Sequence, residues 1–348
     1  LPAGRAAIEL GDRAGGVRRD VEHATPGNAT VTPEGVRLRP RFVAGSDGSD
    51  RFLIDFCPQA DTPVRGTILC VQPFGDEATL SRRVLVAQAI RLAARGWVVR
   101  LADVQGTGDS AGEDQEATLA IWRDDLDLFA RELRSDWPER DLVLWGVRLG
   151  CALACDLMLR SLTAMPATLV FWQPGRSAAD ALAPWLRLAG IGARTRAVAT
   201  TADGLVAHDT VADAMPPAAQ NSTDDPSLLV LGGFYWQRDL IENLSALPLT
   251  PVTDEAEPAP ADPAAGAPPV GRPSAAGRVL ILGIRRDLGR LPGSEPPPEL
   301  AALARRWGRA GYDSDVRLVT ADSFWNSLEP STPVAAFEAT ESFLLARP

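Results

Sequence analysis

The feature that most narrows what this chain can fold into is its repeated alternation of short apolar runs with longer stretches of helical spacing. Phe52–Phe56, Thr67–Val71, Val98–Ala102, Leu142–Trp145 and Thr168–Trp172 read as strands. Leu80–Arg95, Leu119–Trp137 and Leu149–Leu162 lie between them and read as helices. In the second helix Ile121, Leu126, Phe129 and Leu133 recur at three- to four-residue intervals, with Arg and Asp on the other face. Strand–helix–strand repetition predicts a mainly parallel sheet with right-handed crossovers and helices on both faces.

The pattern continues less regularly towards the C-terminus. Residues 1–40 lack a sustained period and predict a loosely structured arm, with the sheet core starting at 41 and running to 174. Residues 175–226 are rich in Ala and Asp and predict a cap inserted over the sheet's carboxyl edge. The core resumes over 227–247, with Leu228–Leu231 as a strand and Leu240–Leu247 as a helix. Residues 248–277 are almost wholly Pro, Ala, Gly and acid, which bury too little apolar surface to offset ordering entropy, so a flexible loop is expected. The last part of the core, 278–348, carries Val279–Ile284 and Val316–Val319 as strands and Pro298–Ala310 and Val334–Leu345 as helices.

In an open sheet of this kind ligands bind beyond the carboxyl ends of the strands, so the loops there carry the functional information. One stands out. Trp145-Gly146-Val147-Arg148-Leu149-Gly150 lies directly between a strand and a helix. Its Gly-x-Arg-x-Gly spacing has the form of a nucleophile elbow, Gly-x-Ser-x-Gly, in which small residues allow a sharp turn that lifts the central side chain above the sheet. That placement predicts an α/β-hydrolase fold. The residue at the nucleophile position is Arg148, however, and a guanidinium stays protonated and cannot attack a carbonyl.

The remaining parts of an acyl-transfer centre can be sought in the other loops. Gln72-Pro73-Phe74-Gly75-Asp76-Glu77 follows the Thr67–Val71 strand, where this fold draws one oxyanion-hole N–H; the other comes from the residue after the elbow, Leu149. The catalytic acid and base should follow in the order Asp or Glu, then His. Asp287, just after the Val279–Ile284 strand, is in an acid-like position, but no histidine follows Val316–Val319. The two histidines of the chain are His23 in the arm and His208 in the predicted cap. Asp103-Val104-Gln105-Gly106-Thr107-Gly108-Asp109-Ser110-Ala111-Gly112 resembles a dinucleotide-binding run only superficially; its third glycine is misplaced, and it reads as a tight structural turn.

Composition removes several other classes. A formal charge of −10, from 35 basic and 45 acidic residues, argues against a nucleic-acid footprint. Every basic residue is Arg, so no Lys is present for Schiff-base or general-base work. Cys57, Cys70, Cys151 and Cys155 include no Cys-x-x-Cys pair and have no ligand-like spacing to the histidines; no metal and no cofactor are expected. No charged-then-apolar leader and no apolar run near ~20 residues is present, so no membrane span is expected, and a reducing, cytoplasmic setting follows. The Asn-x-Ser/Thr triplets at Asn28, Asn221 and Asn243 then read as chance.

The sequence resembles the second class of exosortase A system-associated hydrolases, bacterial proteins of the α/β-hydrolase superfamily linked to protein sorting and exopolysaccharide production. The resemblance runs over about residues 40–345. It rests on Gln72-Pro73-Phe74, Ser81-Arg82-Arg83, the Gly106–Gly112 turn, Leu144-Trp145-Gly146-Val147-Arg148-Leu149-Gly150, Phe171-Trp172-Gln173-Pro174 and Phe324-Trp325. It implies that Arg148 is a family-type feature, and that "hydrolase" there describes a fold.

Three readings follow. In the first, the chain is a pseudohydrolase that has lost Ser-His-Asp chemistry and binds a ligand or partner. Arg148, beside the elbow helix N-terminus, the N–H groups of Leu149, Phe74 and Gly75, and Glu77 of the same ligand-binding set, would then grip a carboxylate- or phosphate-bearing small molecule. Equally, Arg148 could be paired internally with Asp103, Asp109, Glu77 or Asp287. In the second reading the chain is an active hydrolase or acyl-transfer enzyme with another nucleophile, Cys151, whose thiol the helix dipole would acidify. In the third it is a structural subunit of a sorting or polysaccharide assembly, with a protein partner from that system.

Overall fold

The computed structural model describes residues 30–161, 168–187, 225, 227–251, 277–286 and 296–346. The flexible loop expected at 248–277, the two histidines, Asp287 and most of the predicted cap lie outside the described residues, apart from 248–251, Gly277, a helical run over 178–187 and a few flanking positions.

Eleven strands are described: β1 (Thr30–Val31), β2 (Arg37–Ala44), β3 (Asp50–Cys57), β4 (Gly66–Val71), β5 (Trp97–Ala102), β6 (Leu142–Val147), β7 (Thr168–Trp172), β8 (Leu228–Leu231), β9 (Phe234–Gln237), β10 (Gly277–Arg285) and β11 (Tyr312–Thr320). The labelled helices are α1 (Asp76–Ala93), α2 (Leu119–Asp136), α3 (Gly150–Ser161), α4 (Arg238–Ser245), α5 (Pro298–Arg309) and α6 (Val334–Leu345). Nine strands form one sheet in the order β1-β2-β3-β5-β4-β6-β7-β10-β11. From β5 through β11 all neighbours are parallel, whereas β1, β2 and β3 add an antiparallel edge.

Two observations correct the expectations. Residues 30–40 were expected within the arm, yet they hold β1 and the start of β2; β2, with three Arg and Pro40, sits next to the sheet edge, where only one face needs apolar residues. A strand not expected from the sequence, β9, pairs with β8 as a hairpin. Its two-residue turn, Gly232-Gly233, has φ of 61° and 86°, the paired positive values of a type I′ turn that match the twist of the strands.

The central strands β4, β5 and β6 are buried along their whole length because helices cover both faces. On one face Leu69, Val71 and Leu144 pack with Trp122, Phe129, Leu153, Leu303 and Trp307 of α2, α3 and α5. On the other, Ile68, Val99 and Trp145 pack with Leu85, Ala89 and Phe337 of α1 and α6. Two fully buried ion pairs brace the first face. Arg100 of β5 grips Asp55 of β3 through two bonds of 2.7 and 2.9 Å, and Arg51 of β3 holds Asp125 of α2 at 2.8 Å. Asp125 also accepts the Gln105 N–H at 2.8 Å, so the loop after β5 is fixed to α2.

Candidate functional site

The loops at the carboxyl edge build two distinct places, one at the elbow and one beside it. At the elbow, Arg148 has φ of 55°, a left-handed conformation that costs a residue with a Cβ about 1–2 kcal/mol. The turn is held by the Arg148 N–H donating to the Trp172 carbonyl at 2.9 Å and the Cys151 N–H donating to the Arg148 carbonyl at 3.1 Å. It closes so tightly that a Cβ at Gly146 would lie 2.6 Å from the Cys151 Cα, and one at Gly150 would collide with the Val71 carbonyl. Both glycines are required by close approach of backbone. The strained strand-to-helix turn of a nucleophile elbow is therefore intact, with a guanidinium where the nucleophile belongs.

That guanidinium is not an open receptor. Glu77, in the first turn of α1, lies against it, with Nε 3.2 and 3.3 Å from the two carboxylate oxygens and a guanidinium NH2 group 3.2 Å from one of them. The Arg148 side chain is 12% exposed and that of Glu77 7%. Burial pushes the Glu77 carboxyl above its ordinary range, and Arg148 pulls it part of the way back. From the segment after β11, where the base would be sought, Trp325 brings its ring to 5.4 Å from the guanidinium carbon. So of the two roles open to Arg148, the geometry realises an internal ion pair with Glu77, capped by an indole. Leu149 is buried in the core next to it.

Cys151, the other nucleophile considered, has no exposed surface. It is fully buried, its thiol donates to the Trp172 carbonyl at 3.7 Å, and burial pushes its pKa far upward. The expected acidification by the helix dipole is outweighed by desolvation. Cys70 and Cys155 are buried and pushed upward in the same way. The acid-like Asp287 lies outside the described residues.

The second place is a cavity of about 250 Å³ on the other side of the 72–75 loop. Phe74 and Gly75 line it, whereas Arg148, Leu149 and Glu77 do not. Its wall is aromatic: Phe74 lies 4.6 Å from Trp236 and 6.2 Å from Trp122, and Trp122 meets Trp236 edge-on at 5.9 Å. Phe129, Leu126 and Leu153 close its deep end. The β8–β9 hairpin forms one side and is moored by the Tyr235 N–H to Asp114 at 2.6 Å and by the Gln237 amide to the Gln115 carbonyl at 2.9 Å.

One ion pair sits on the cavity's polar side. Arg82 of α1 grips Asp103 through bonds of 2.7 and 2.6 Å, and Asp103 also accepts from the Gln72 amide and the Asp109 N–H. The glycine-containing segment after β5 is a self-closed turn, its Gly106 N–H donating to the Ala111 carbonyl at 3.1 Å. Sequence reasoning had no role for Arg82, Trp122 or Trp236. Among the described residues no cluster of His, Cys, Asp and Glu could hold a metal ion, and no helix is long and apolar enough to cross a membrane.

Comparison with known proteins bears on the fold. Residues 62–215 match the model of the serine aminopeptidase S33 family. No match was found among curated proteins. Among solved structures the chain is similar to Est1E from Butyrivibrio proteoclasticus with ferulic acid bound, at a TM-score of 0.53 and 15% identity, over 88% of this chain and 98% of that one. It is similar also to a thermostable carboxyl esterase from Bacillus coagulans in complex with glycerol, at a TM-score of 0.52 and 13% identity, over 88% and 96% of the two chains.

Proposed function

We propose, from the α/β-hydrolase fold that the chain carries, that it is a pseudohydrolase: a protein that keeps the fold's elbow and loops and uses them for binding instead of acyl transfer. The observation that carries this reading is the Arg148–Glu77 pair under Trp325, which fills the nucleophile position with a cation already matched by the chain's own carboxylate. Acyl transfer needs a nucleophile within reach of a base. Among the described residues the elbow offers neither, and the sequence after β11 contains no histidine. The buried state of Cys151 weighs against a substituted thiol.

The resemblance to exosortase-associated proteins supports a place for this binding function in protein sorting or exopolysaccharide production. A carboxylate or phosphate ligand on Arg148 is not favoured, because Glu77 occupies the guanidinium fork. The test is chemical. A serine-directed fluorophosphonate should leave the protein unlabelled, and short-chain p-nitrophenyl esters should turn over no faster than in buffer. Replacing Arg148→Ser should not raise the rate, since no base among the described residues accompanies the new hydroxyl. Stoichiometric labelling of one serine, abolished by its replacement, would overturn the reading.

A further inference from the structure

The two edges of the main sheet are built differently. At one, β1 is two residues long and β2 beside it carries Pro40, both of which keep an edge from templating another strand. At the other, β11 runs for nine residues and pairs one-to-one with β10, from Gly277 opposite Tyr312 to Arg285 opposite Thr320, without a bulge. Val316 and Leu318 of β11 pack on the α5 side and are half-buried, whereas Ile281, the register partner of Val316, is fully buried.

Two bonds fix which backbone groups of β11 face outward. The Gln173 N–H donates to the Leu282 carbonyl on the β7 side of β10, and the Ala321 N–H donates to the Arg285 carbonyl on the β11 side. Backbone groups of successive residues in a strand alternate between its two sides. Asp313, Asp315, Arg317 and Val319 therefore bond back to β10, and Tyr312, Ser314, Val316, Leu318 and Thr320 aim their N–H and C=O away from it. Among the described residues no strand pairs with that outer edge.

The side chains decide what can add to it. Asp315 and Arg317 lie on the α6 side, where Arg317 donates to the Ala339 carbonyl and the Ser342 hydroxyl and pairs with Asp315 at 2.7 Å. Such charges oppose most incoming strands, because they go unmatched or meet their like. A second copy of β11, running antiparallel, matches them in one register. With a two-fold axis at Val316, each Val316 meets its counterpart, Ser314 meets Leu318 and Tyr312 meets Thr320 as hydrogen-bonded pairs, all through outward-facing groups. The closer pairs between them then set Asp315 of each copy opposite Arg317 of the other. An axis at Ser314 would oppose Asp313 to Asp315, and axes at Asp315 or Arg317 would oppose that residue to itself. An axis at Leu318 would bring no opposite charges together.

We propose that two copies of this chain associate through β11, antiparallel about a two-fold axis at Val316, with the Asp315–Arg317 cross-strand pairs setting the register. The nine-stranded sheet then continues from one copy into the other. This goes beyond the binding reading above and is independent of it, since β11 is the edge strand and the elbow follows β6, in the middle of the sheet.

Sedimentation equilibrium of the full chain tests it. From low micromolar to submillimolar concentration, the mass should rise reversibly towards twice the 37.0 kDa of one chain. Val316→Pro should abolish association and keep the fold, because the N–H that it removes faces outward and takes no part in the β10 ladder. Asp315→Arg sets like charges opposite each other and should weaken the dimer about tenfold. Adding Arg317→Asp to that variant should restore the dimer, because the pairs match again with their signs exchanged. Asp315 is half-exposed, so its reversal serves if the proline variant does not fold. A native protein that stays monomeric at every concentration, which would give the edge to another segment of this chain or to a different partner, overturns the proposal. So does a dimer that persists in folded Val316→Pro, a single reversal without effect, or a folded double reversal that does not associate.

Discussion

The first turn of α1 and the loop before it face two ways, and the two faces differ in how completely they are satisfied. Glu77 points to the elbow, where its charge meets Arg148, and the Trp325 ring lies against the guanidinium. Phe74 and Ala78, three residues earlier and one later, line the cavity, whose wall also holds Trp236, a residue with a buried indole N–H that has no partner among the described residues. The elbow is closed chemically by the chain itself. The cavity is shaped and left unfilled among the described residues.

The strongest way to break this comparison is to remove one member of the elbow pair. Glu77→Ala strands the Arg148 guanidinium in a largely buried setting, and the expected cost is about 2–3 kcal/mol, near the low end for a broken buried pair because its bonds are long. Urea unfolding should show that the double variant Glu77→Ala with Arg148→Ala is more stable than the sum of the single losses predicts. Strict additivity would mean that the two side chains do not act as a unit, and the description of the elbow as self-satisfied would fail.

A smaller effect sharpens the same face through pH. The folded state raises the Glu77 pKa through burial, so it favours the protonated carboxyl. The contribution of that group is fully present below its unfolded pKa and is lost as pH rises through the folded value. Arg148 limits the loss by attracting the ionised form. In Arg148→Ala the deficit relative to native should therefore be largest near neutral pH, about 1–2 kcal/mol, and should shrink on acidification towards the usual glutamate range. A deficit that stays constant from pH 8 to pH 5 would show that Arg148 acts through packing on Trp325 alone.

The fold was legible in the sequence because its signals are local. Thr168–Trp172 coincides with β7, and the Gly146 and Gly150 spacing marks a turn that tolerates no Cβ at either position. Arg148 at the elbow was legible for the same reason. Its partner was narrowed only to four acids, because which carboxylate reaches it depends on how α1 is set against β6, a relation between segments some seventy residues apart. Trp325 was visible as a family residue without a role, since nothing local says that the turn after β11 folds over the elbow. The cavity was illegible for a different cause: its walls come from β4, β5, α1, α2, α3 and β9, and no single segment carries its pattern. One signal was present. Gly232-Gly233 between two strand-like runs is a hairpin turn, and in Phe234-Tyr235-Trp236 the alternation places two rings on the cavity side and the exposed Tyr235 outside.

The smallest expected effect belongs to the cavity and bears on whether it is unmet at all. Replacing a buried Trp by Phe ordinarily destabilises through lost contacts and enlarged space. At Trp236 that loss is opposed, because the substitution also removes a buried N–H that has no partner, and leaving such a donor unmet costs about 1–3 kcal/mol. The two terms have similar size and opposite sign. Trp236→Phe should therefore unfold within about 1 kcal/mol of the native protein in urea without ligand. Trp122→Phe is the control, since it leaves the Gln105 carbonyl without the indole donor that meets it at 3.0 Å, and should cost about 2 kcal/mol more. Equal losses at the two positions would mean that the Trp236 N–H is satisfied in the free protein, and the contrast between a closed elbow and an unmet cavity would lose its basis.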